Sequence, residues 1–274
     1  NLQITTPAQL LENKLIDVLC TGAEFNEAIC ALSGKEEIED INIISLADYA
    51  KATVKPNIKA KDKIAVIYAD GQINVAGEGI TADKFVPIIT KIRKDSSVKA
   101  VVLRVNSPGG AVQPSEQIIA ELELLRADKP LVVSYGTMAA SGGYWISAGC
   151  EKIFSNSTTI TGSIGVFSMI PAAEKTFEDI LHINPETVST HKHSDMMSLT
   201  RRLDNAEKAS FQAQIELIYD RFLEIVSEGR GLTIERVDQI AQGRVWTGEE
   251  GLRIKLVEEI GGLDDAISYA AICA

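Results

Sequence analysis

From residue 63 onward, short apolar runs rich in β-branched residues alternate with segments that repeat apolar residues every three or four positions. Ile64–Tyr68, Lys99–Val105, Pro130–Ser134, Lys152–Ser155 and Val166–Ser168 have strand length and composition. Between them, Thr81 to Lys94 predicts a helix, as does Ser115 to Arg126 with Ile118, Ile119, Leu122 and Leu125 on one stripe. Ala139 to Ala148 predicts a helix of small residues. Continuous apolar strands separated by helices predict an α/β domain whose mainly parallel sheet is buried on both faces.

The last third reads as helical. Asp204 followed by Glu207 is a capping-box spacing, and Phe211, Ile215, Ile218, Phe222, Ile225 and Val226 share the face that follows. Gly229 and Gly231 end that helix. Thr233 to Ala241 is a short helix closed by Gly243, Thr247 with Glu250 caps another, and Leu263 to Ala271 is the last. The first 60 residues differ. Thr6 and Pro7 open a helix with Leu11, Leu15, Val18 and Leu19 on one face. Helices follow at Glu24–Leu32 and Ser45–Ala52. Lys51 to Lys63, with five lysines and Pro56, reads as a linker. The expected organisation is a helical lead-in over 1–60 and a second domain over 61–274.

Composition narrows the class. With 45% hydrophobic and 24% charged residues among 274, the chain can bury a core and is not a disordered segment. Its 38 acidic residues against 27 basic ones give a net charge of −11, which disfavours a nucleic-acid partner. No stretch reaches the ~18 apolar residues a membrane span needs. The first residues lack the basic and apolar regions of a secretory signal, and an anchor upstream remains open. Cys20, Cys30, Cys150 and Cys273 form no Cys-x-x-Cys and are expected as free thiols. No pattern calls for a cofactor or a metal.

Two glycine-rich loops carry the candidate chemistry. Asn106-Ser107-Pro108-Gly109-Gly110 follows one predicted strand, and Met138-Ala139-Ala140-Ser141-Gly142-Gly143-Tyr144 follows the next. Glycines let backbone approach closely or take positive φ, and two such loops can aim N–H groups at one point, as an oxyanion hole requires. Neither loop fits a phosphate-binding pattern. Ser141, among small neighbours at a predicted helix start, has the setting of a nucleophile, although a capping serine has the same setting. Its base is not evident. The histidines His182, His191 and His193 lie far downstream, and no carboxylate pairs with them at a recognisable metal spacing. A neutral lysine is the other route to an activated serine. Tyr144 and Trp145 are expected to pack beneath the serine, and Lys152 to be exposed at a strand start.

The segments Gly136–Ser147, Leu103–Gly110, Thr161–Val166, Gly243–Gly248 and Leu256–Glu258 together resemble the signal peptide peptidase A (protease IV) family, over about residues 60–270. The lead-in resembles the linker before the second half of that family's long, duplicated form. The resemblance implies a ClpP/crotonase-like spiral of ββα units and a Ser–Lys dyad peptidase acting on cleaved signal peptides. It implies Ser141 as nucleophile, the N–H groups of Gly110 and Gly142 as oxyanion hole with Gly109 beside them, and Ser163 as the residue orienting the lysine. Aligning Asp195-Met196-Met197-Ser198 with the short form puts Ser194 where that form has its lysine, with Lys192 two residues away. This implies a base supplied by the N-terminal half of the same protein; a slipped loop using Lys192 is the alternative. The resemblance further implies a homo-oligomeric bowl on the non-cytoplasmic face of the bacterial inner membrane, anchored outside this chain. A crotonase-type acyl-CoA enzyme, with Glu116 as the one acid near the loops, and a non-catalytic scaffold half remain as alternatives.

Overall fold

A computed structural model describes residues 6–46, 48, 49 and 60–274. The chain divides into two compact units, Asn1–Lys59 and Ala60–Ala274.

In the first unit, helix α1 (Pro7–Glu12) is opened by Thr6, whose hydroxyl accepts from the Gln9 N–H. It stops seven residues short of the expected Leu19. Asn13 caps it, and Lys14 at φ 56° turns the chain, leaving Leu15, Val18 and Leu19 exposed. Helix α2 (Gly22–Ser33) carries a Thr21–Glu24 capping box and ends on left-handed Gly34. The expected helix from Ser45 to Ala52 lies partly outside the described residues, as does most of the lysine-rich linker.

The second unit is built on strands β1 (Lys63–Asp70), β2 (Val98–Ser107), β3 (Leu131–Ala140), β4 (Lys152–Ser155) and β7 (Glu259–Ile260), parallel and adjacent in that order. Helices α3 (Ala82–Lys94) and α4 (Val112–Asp128) make the crossovers between β1, β2 and β3. Side chains alternate across β2. Val101, Leu103 and Val105 enter the main core with Ile118, Leu122 and Leu125 of α4. Ala100 and Val102 face the other side, against Ala266 and Ala270 of the last helix, α9 (Leu263–Cys273). Burial on both faces is why the central strands β2 and β3 read as unbroken apolar runs. The arrangement is mixed α/β with a largely parallel sheet, consistent with the expected ClpP/crotonase-like class.

Strand β3 is longer than the expected Pro130–Ser134 because it has two successive neighbours. Val132–Ser134 pairs with β4, and Met138–Ala140 pairs with β5 (Ile160–Gly162), which is itself antiparallel to β6 (Val245–Thr247). The strand expected at Val166–Ser168 is absent. After β5, Ser163 takes φ 50° and turns the chain off the sheet, so Phe167 is exposed.

The helix expected over Ala139–Ala148 is a single turn, α5 (Gly142–Trp145). Helix α6 (Asn205–Arg230) has the expected Asp204–Glu207 box and ends on Gly231. Gly229 lies inside it because a Cβ there would sit 2.0 Å from the Ala148 carbonyl oxygen. Helices α7 (Ile234–Ile240) and α8 (Gly248–Arg253) follow, α8 under the expected Thr247–Glu250 box. Lys152 is not simply exposed. Its amine pairs with Glu259 at 2.5 Å and lies 5.1 Å from the Phe154 ring centre.

Arg230 anchors α6 from within the core. Its side chain is fully buried, pairs with Glu258 and donates to the Ala148 and Cys150 carbonyls. Removing it strands those acceptors. Arg230→Ala is therefore expected to cost roughly 3 kcal/mol, read as a lower midpoint with an unchanged slope in urea unfolding.

Candidate active site

The two glycine loops meet at the C-terminal ends of β2 and β3, where open parallel sheets commonly bind ligands. At the end of β3 the chain reverses in one residue. Ser141 has φ 52° and ψ −121°, a conformation costing about 1–3 kcal/mol for a residue with a Cβ. Two backbone bonds hold it there. Its N–H donates to the Gly162 carbonyl at 2.9 Å, and its carbonyl accepts from the Trp145 N–H at 2.9 Å. A sharp strand-to-helix reversal of this kind lifts a hydroxyl out of the backbone. The Ser141 hydroxyl has no hydrogen-bond partner among the described residues, so it does not act as a side-chain cap for α5.

The loop after β2 is pinned by Ile73. The Ile73 N–H donates to the Gly109 carbonyl at 2.8 Å, and the Ala111 N–H donates to the Ile73 carbonyl at 2.9 Å. Extended backbone alternates its donors, so the Gly110 N–H between them faces away from Ile73. It has no acceptor among the described residues, and neither does the Gly142 N–H at the first position of α5. These groups are close together: a Cβ built on Gly142 would lie 3.1 Å from the Gly110 nitrogen. Gly109 makes the approach feasible. A Cβ on it would be 2.5 Å from the Gly142 nitrogen and 2.7 Å from the Ser141 Cβ. Because α5 is only one turn, the electropositive character here comes from individual N–H groups and not from a long helix dipole.

A cavity of about 70 Å³ opens beside Ser141, with Gly110, Val112, Ser115, Trp145 and Phe222 in its walls. Tyr144 and Trp145 are buried beneath the serine as expected, and Trp145 also reaches the cavity. Ser115 is a site residue that the sequence pattern does not single out. It lies on the first turn of α4, and its oxygen is 3.0 Å from where a Gly142 Cβ would be. Its place after Val112 in a helix leaving the glycine loop is the available signal. Glu116 faces the other way, 3.5 Å from Arg221 on α6.

Ser163 stands next to Gly162, the residue that accepts from Ser141, and its own N–H donates to the Arg244 carbonyl at 2.7 Å. Among the described residues no lysine lines the cavity, and none hydrogen-bonds to Ser141. Lys192 and Ser194 are exposed on a segment tied to the start of α6. There Arg201 bonds Asp195 and Glu207 together and holds the Glu207 carboxyl well below the usual carboxylate range. His193 Nδ1–H donates to the Glu207 carboxylate at 3.0 Å and lies near Asp204, a grouping with metal-ligand types that the sequence spacing hides. Arg201 already supplies the positive charge at Glu207.

Residues 123–274 match peptidase family S49, more than half of the sequence. The chain belongs to peptidase family S49. Protease 4 of Salmonella typhi is 41% identical over 271 residues, covering 97% of this chain and 43% of that protein. A putative signal peptide peptidase SppA of Enterococcus faecium is 35% identical over 207 residues, covering 74% of this chain and 59% of its own length. A putative protease of Methanocaldococcus jannaschii is 34% identical, with 75% and 69% covered. This S49 chain thus spans less than half the length of Protease 4. Among solved structures, a ClpP1 mutant from Listeria monocytogenes aligns over 74% of this chain and 94% of its own, at TM-score 0.49 and 17% identity.

The contact at Gly109 gives a direct test. Gly109→Ala should slow labelling of Ser141 by a fluorophosphonate roughly a hundredfold, the scale of a lost oxyanion donor. Gly77→Ala, at similar φ but in open space, should leave the rate within about twofold, since strain without a clash is local. Equal losses in both variants would make backbone strain the cause.

Proposed function

We propose that this S49 chain is the nucleophile-bearing half of a serine endopeptidase that degrades cleaved signal peptides and similar apolar peptides. The observation that carries the reading is the unpartnered Ser141 hydroxyl beside two unpartnered N–H groups, those of Gly110 and Gly142. Ser141 Oγ attacks the scissile carbonyl carbon and gives its proton to a neutral lysine amine. The carbonyl oxygen becomes an oxyanion held by the two N–H groups. The tetrahedral species collapses, the C–N bond breaks, and the lysine returns the proton to the leaving amine. The neutral lysine then takes a proton from water as the water oxygen attacks the acyl carbon; the C–Oγ bond breaks, and the lysine returns the proton to Ser141 Oγ as the acid leaves.

The lysine comes from the N-terminal half of the same protein, with Ser163 orienting it. Two facts support this: among the described residues the cavity beside Ser141 has no lysine in its walls, and Protease 4 has more than this chain's length in addition to the matched region. Apolar peptide is favoured because Val112, Trp145 and Phe222 face the cavity. The working assembly is a homo-oligomer on the non-cytoplasmic face of the inner membrane, anchored by a segment outside this chain. No helix among the described residues is long and apolar enough to cross a membrane.

Hydrolysis of a fluorogenic apolar peptide tests the reading. In the full-length protein, Ser141→Ala should lower kcat by a factor of about 1000 or more, and Lys192→Ala should leave it unchanged. This chain alone should be inactive and regain activity when the N-terminal half is added. An undiminished rate in Ser141→Ala would overturn the assignment, and a loss in Lys192→Ala would move the base into this chain.

A further inference from the structure

The glycine loop after β2 begins with Asn106, whose side chain lies at a break in the β2–β3 ladder. Paired residues of the two strands are 30 apart in sequence from Val101–Leu131 to Val105–Tyr135, and 32 apart at Ser107–Ala139. Strand β3 therefore carries two extra residues here, and Gly136, Thr137 and Met138 together face Asn106. Bulges beside active sites commonly re-aim a side chain. This one advances β3 by about 7 Å along β2, at about 3.3 Å per residue. Two residues beyond the Ser107–Ala139 pair stand Gly109 and Ser141, whose close approach forms the site. In the unshifted register Gly109 would lie opposite Ala139.

One side chain fills the break. Asn106 Oδ1 accepts from the Thr137 N–H at 3.2 Å, the Met138 N–H at 3.3 Å and the Thr137 hydroxyl at 2.8 Å. Gly136 lies flat against it, since a Cβ there would be 2.9 Å from both the Asn106 Cβ and Oδ1. The other end of the carboxamide faces Asp70, the partner of Asn106 at the end of β1. Asn106 Nδ2 donates to Asp70 Oδ1 at 2.9 Å. Three donors at one end and a carboxylate at the other leave the amide a single orientation, because a flip would set its NH₂ against donors and its oxygen against Asp70. None of these bonds involves Ser141. They act through β3, whose residues Met138–Ala140 go on to pair with β5, and the Gly162 carbonyl of β5 accepts from the Ser141 N–H.

We propose that Asn106 is a positioning residue for the Ser141 nucleophile, with Asp70 holding its carboxamide so that the bulge in β3 keeps the register that sets Ser141 against Gly109. The inference rests on the peptidase reading and adds two residues, 36 apart in sequence and outside the cavity walls, to what the reaction requires. Because neither residue lines the cavity, their loss acts on turnover and not on substrate binding.

The pair can be reversed, which gives the test. In the full-length protein, kcat and KM for a fluorogenic apolar peptide are measured per active site, with sites counted by exhaustive fluorophosphonate labelling. Asn106→Asp sets two carboxylates face to face and should lower kcat about tenfold to a hundredfold, the scale of a small misplacement of a reacting group, with KM within about threefold. Asp70→Asn keeps an acceptor for the Asn106 amide and should stay within about threefold in both. Combining Asn106→Asp with Asp70→Asn exchanges the roles: the amide at position 70 donates to the carboxylate at position 106, which still accepts from Thr137 and Met138. The combination should restore kcat to within about threefold of wild type, and it decides alone if Asn106→Asp yields no labelled sites. An unchanged kcat in Asn106→Asp, a change confined to KM, or a combination no better than Asn106→Asp overturns the inference. Wild-type cleavage abolished by Ser141→Ala keeps the peptidase reading in each of those cases, whereas a wild type that cleaves nothing overturns both.

Discussion

The site depends on one contact in which no side chain can stand: Gly109 against the Ser141–Gly142 step. The space a Cβ would need is filled by the Gly142 nitrogen and the Ser141 Cβ, at 2.5 and 2.7 Å. That approach sets the Gly110 and Gly142 donors beside one another and beside the serine hydroxyl. The glycines around it follow from the same crowding. Gly110 would drive a Cβ into the Ile73 carbonyl at 1.9 Å, and Gly143 would press on the Ser107 carbonyl at 2.8 Å. Each glycine is required by backbone proximity, and each would be a fault in a loop that only connected a strand to a helix.

The sheet makes the contact possible. Parallel pairing of β2 and β3 brings their C-terminal ends to one edge of the layer, and the packing of both faces of β2 keeps that edge rigid. The second partner of β3 carries the strand on to Ala140, so the reversal at Ser141 begins from a fully hydrogen-bonded element. The strained φ of Ser141 is held by bonds on both sides, to Gly162 and from Trp145. Rigid support of this kind lets donors wait in place for a developing charge without reorganising.

Features set by neighbours in sequence are legible in the order of residues alone. The boxes at Asp204–Glu207 and Thr247–Glu250 form as expected, because a capping box needs only residues three apart. The apolar runs of β2 to β4 are also legible, since burial on both faces removes polar positions. Features set by distant partners are not. The residue pattern places a strand at Val166–Ser168 and passes over β5, because Ile160–Gly162 is a strand only through β3 and β6. Gly229 has the pattern of a helix stop and is a packing glycine against Ala148. His193 shows no carboxylate partner by spacing because Asp204 and Glu207 reach it across a turn that no spacing rule describes. Ser115 likewise takes on meaning only where the fold places it beside Ser141 and Gly142 in the cavity wall.

Central to the proposed mechanism is that the Gly110 and Gly142 N–H groups converge on the oxygen that would form when Ser141 reacts. The most direct measurement is a crystal structure of the full-length protein after reaction with a peptidyl fluorophosphonate. The mechanism predicts phosphorus bonded to Ser141 Oγ, with the phosphoryl oxygen accepting from both N–H groups at about 2.7–3.1 Å. A phosphoryl oxygen turned away from both, or an adduct on a different residue, would contradict it.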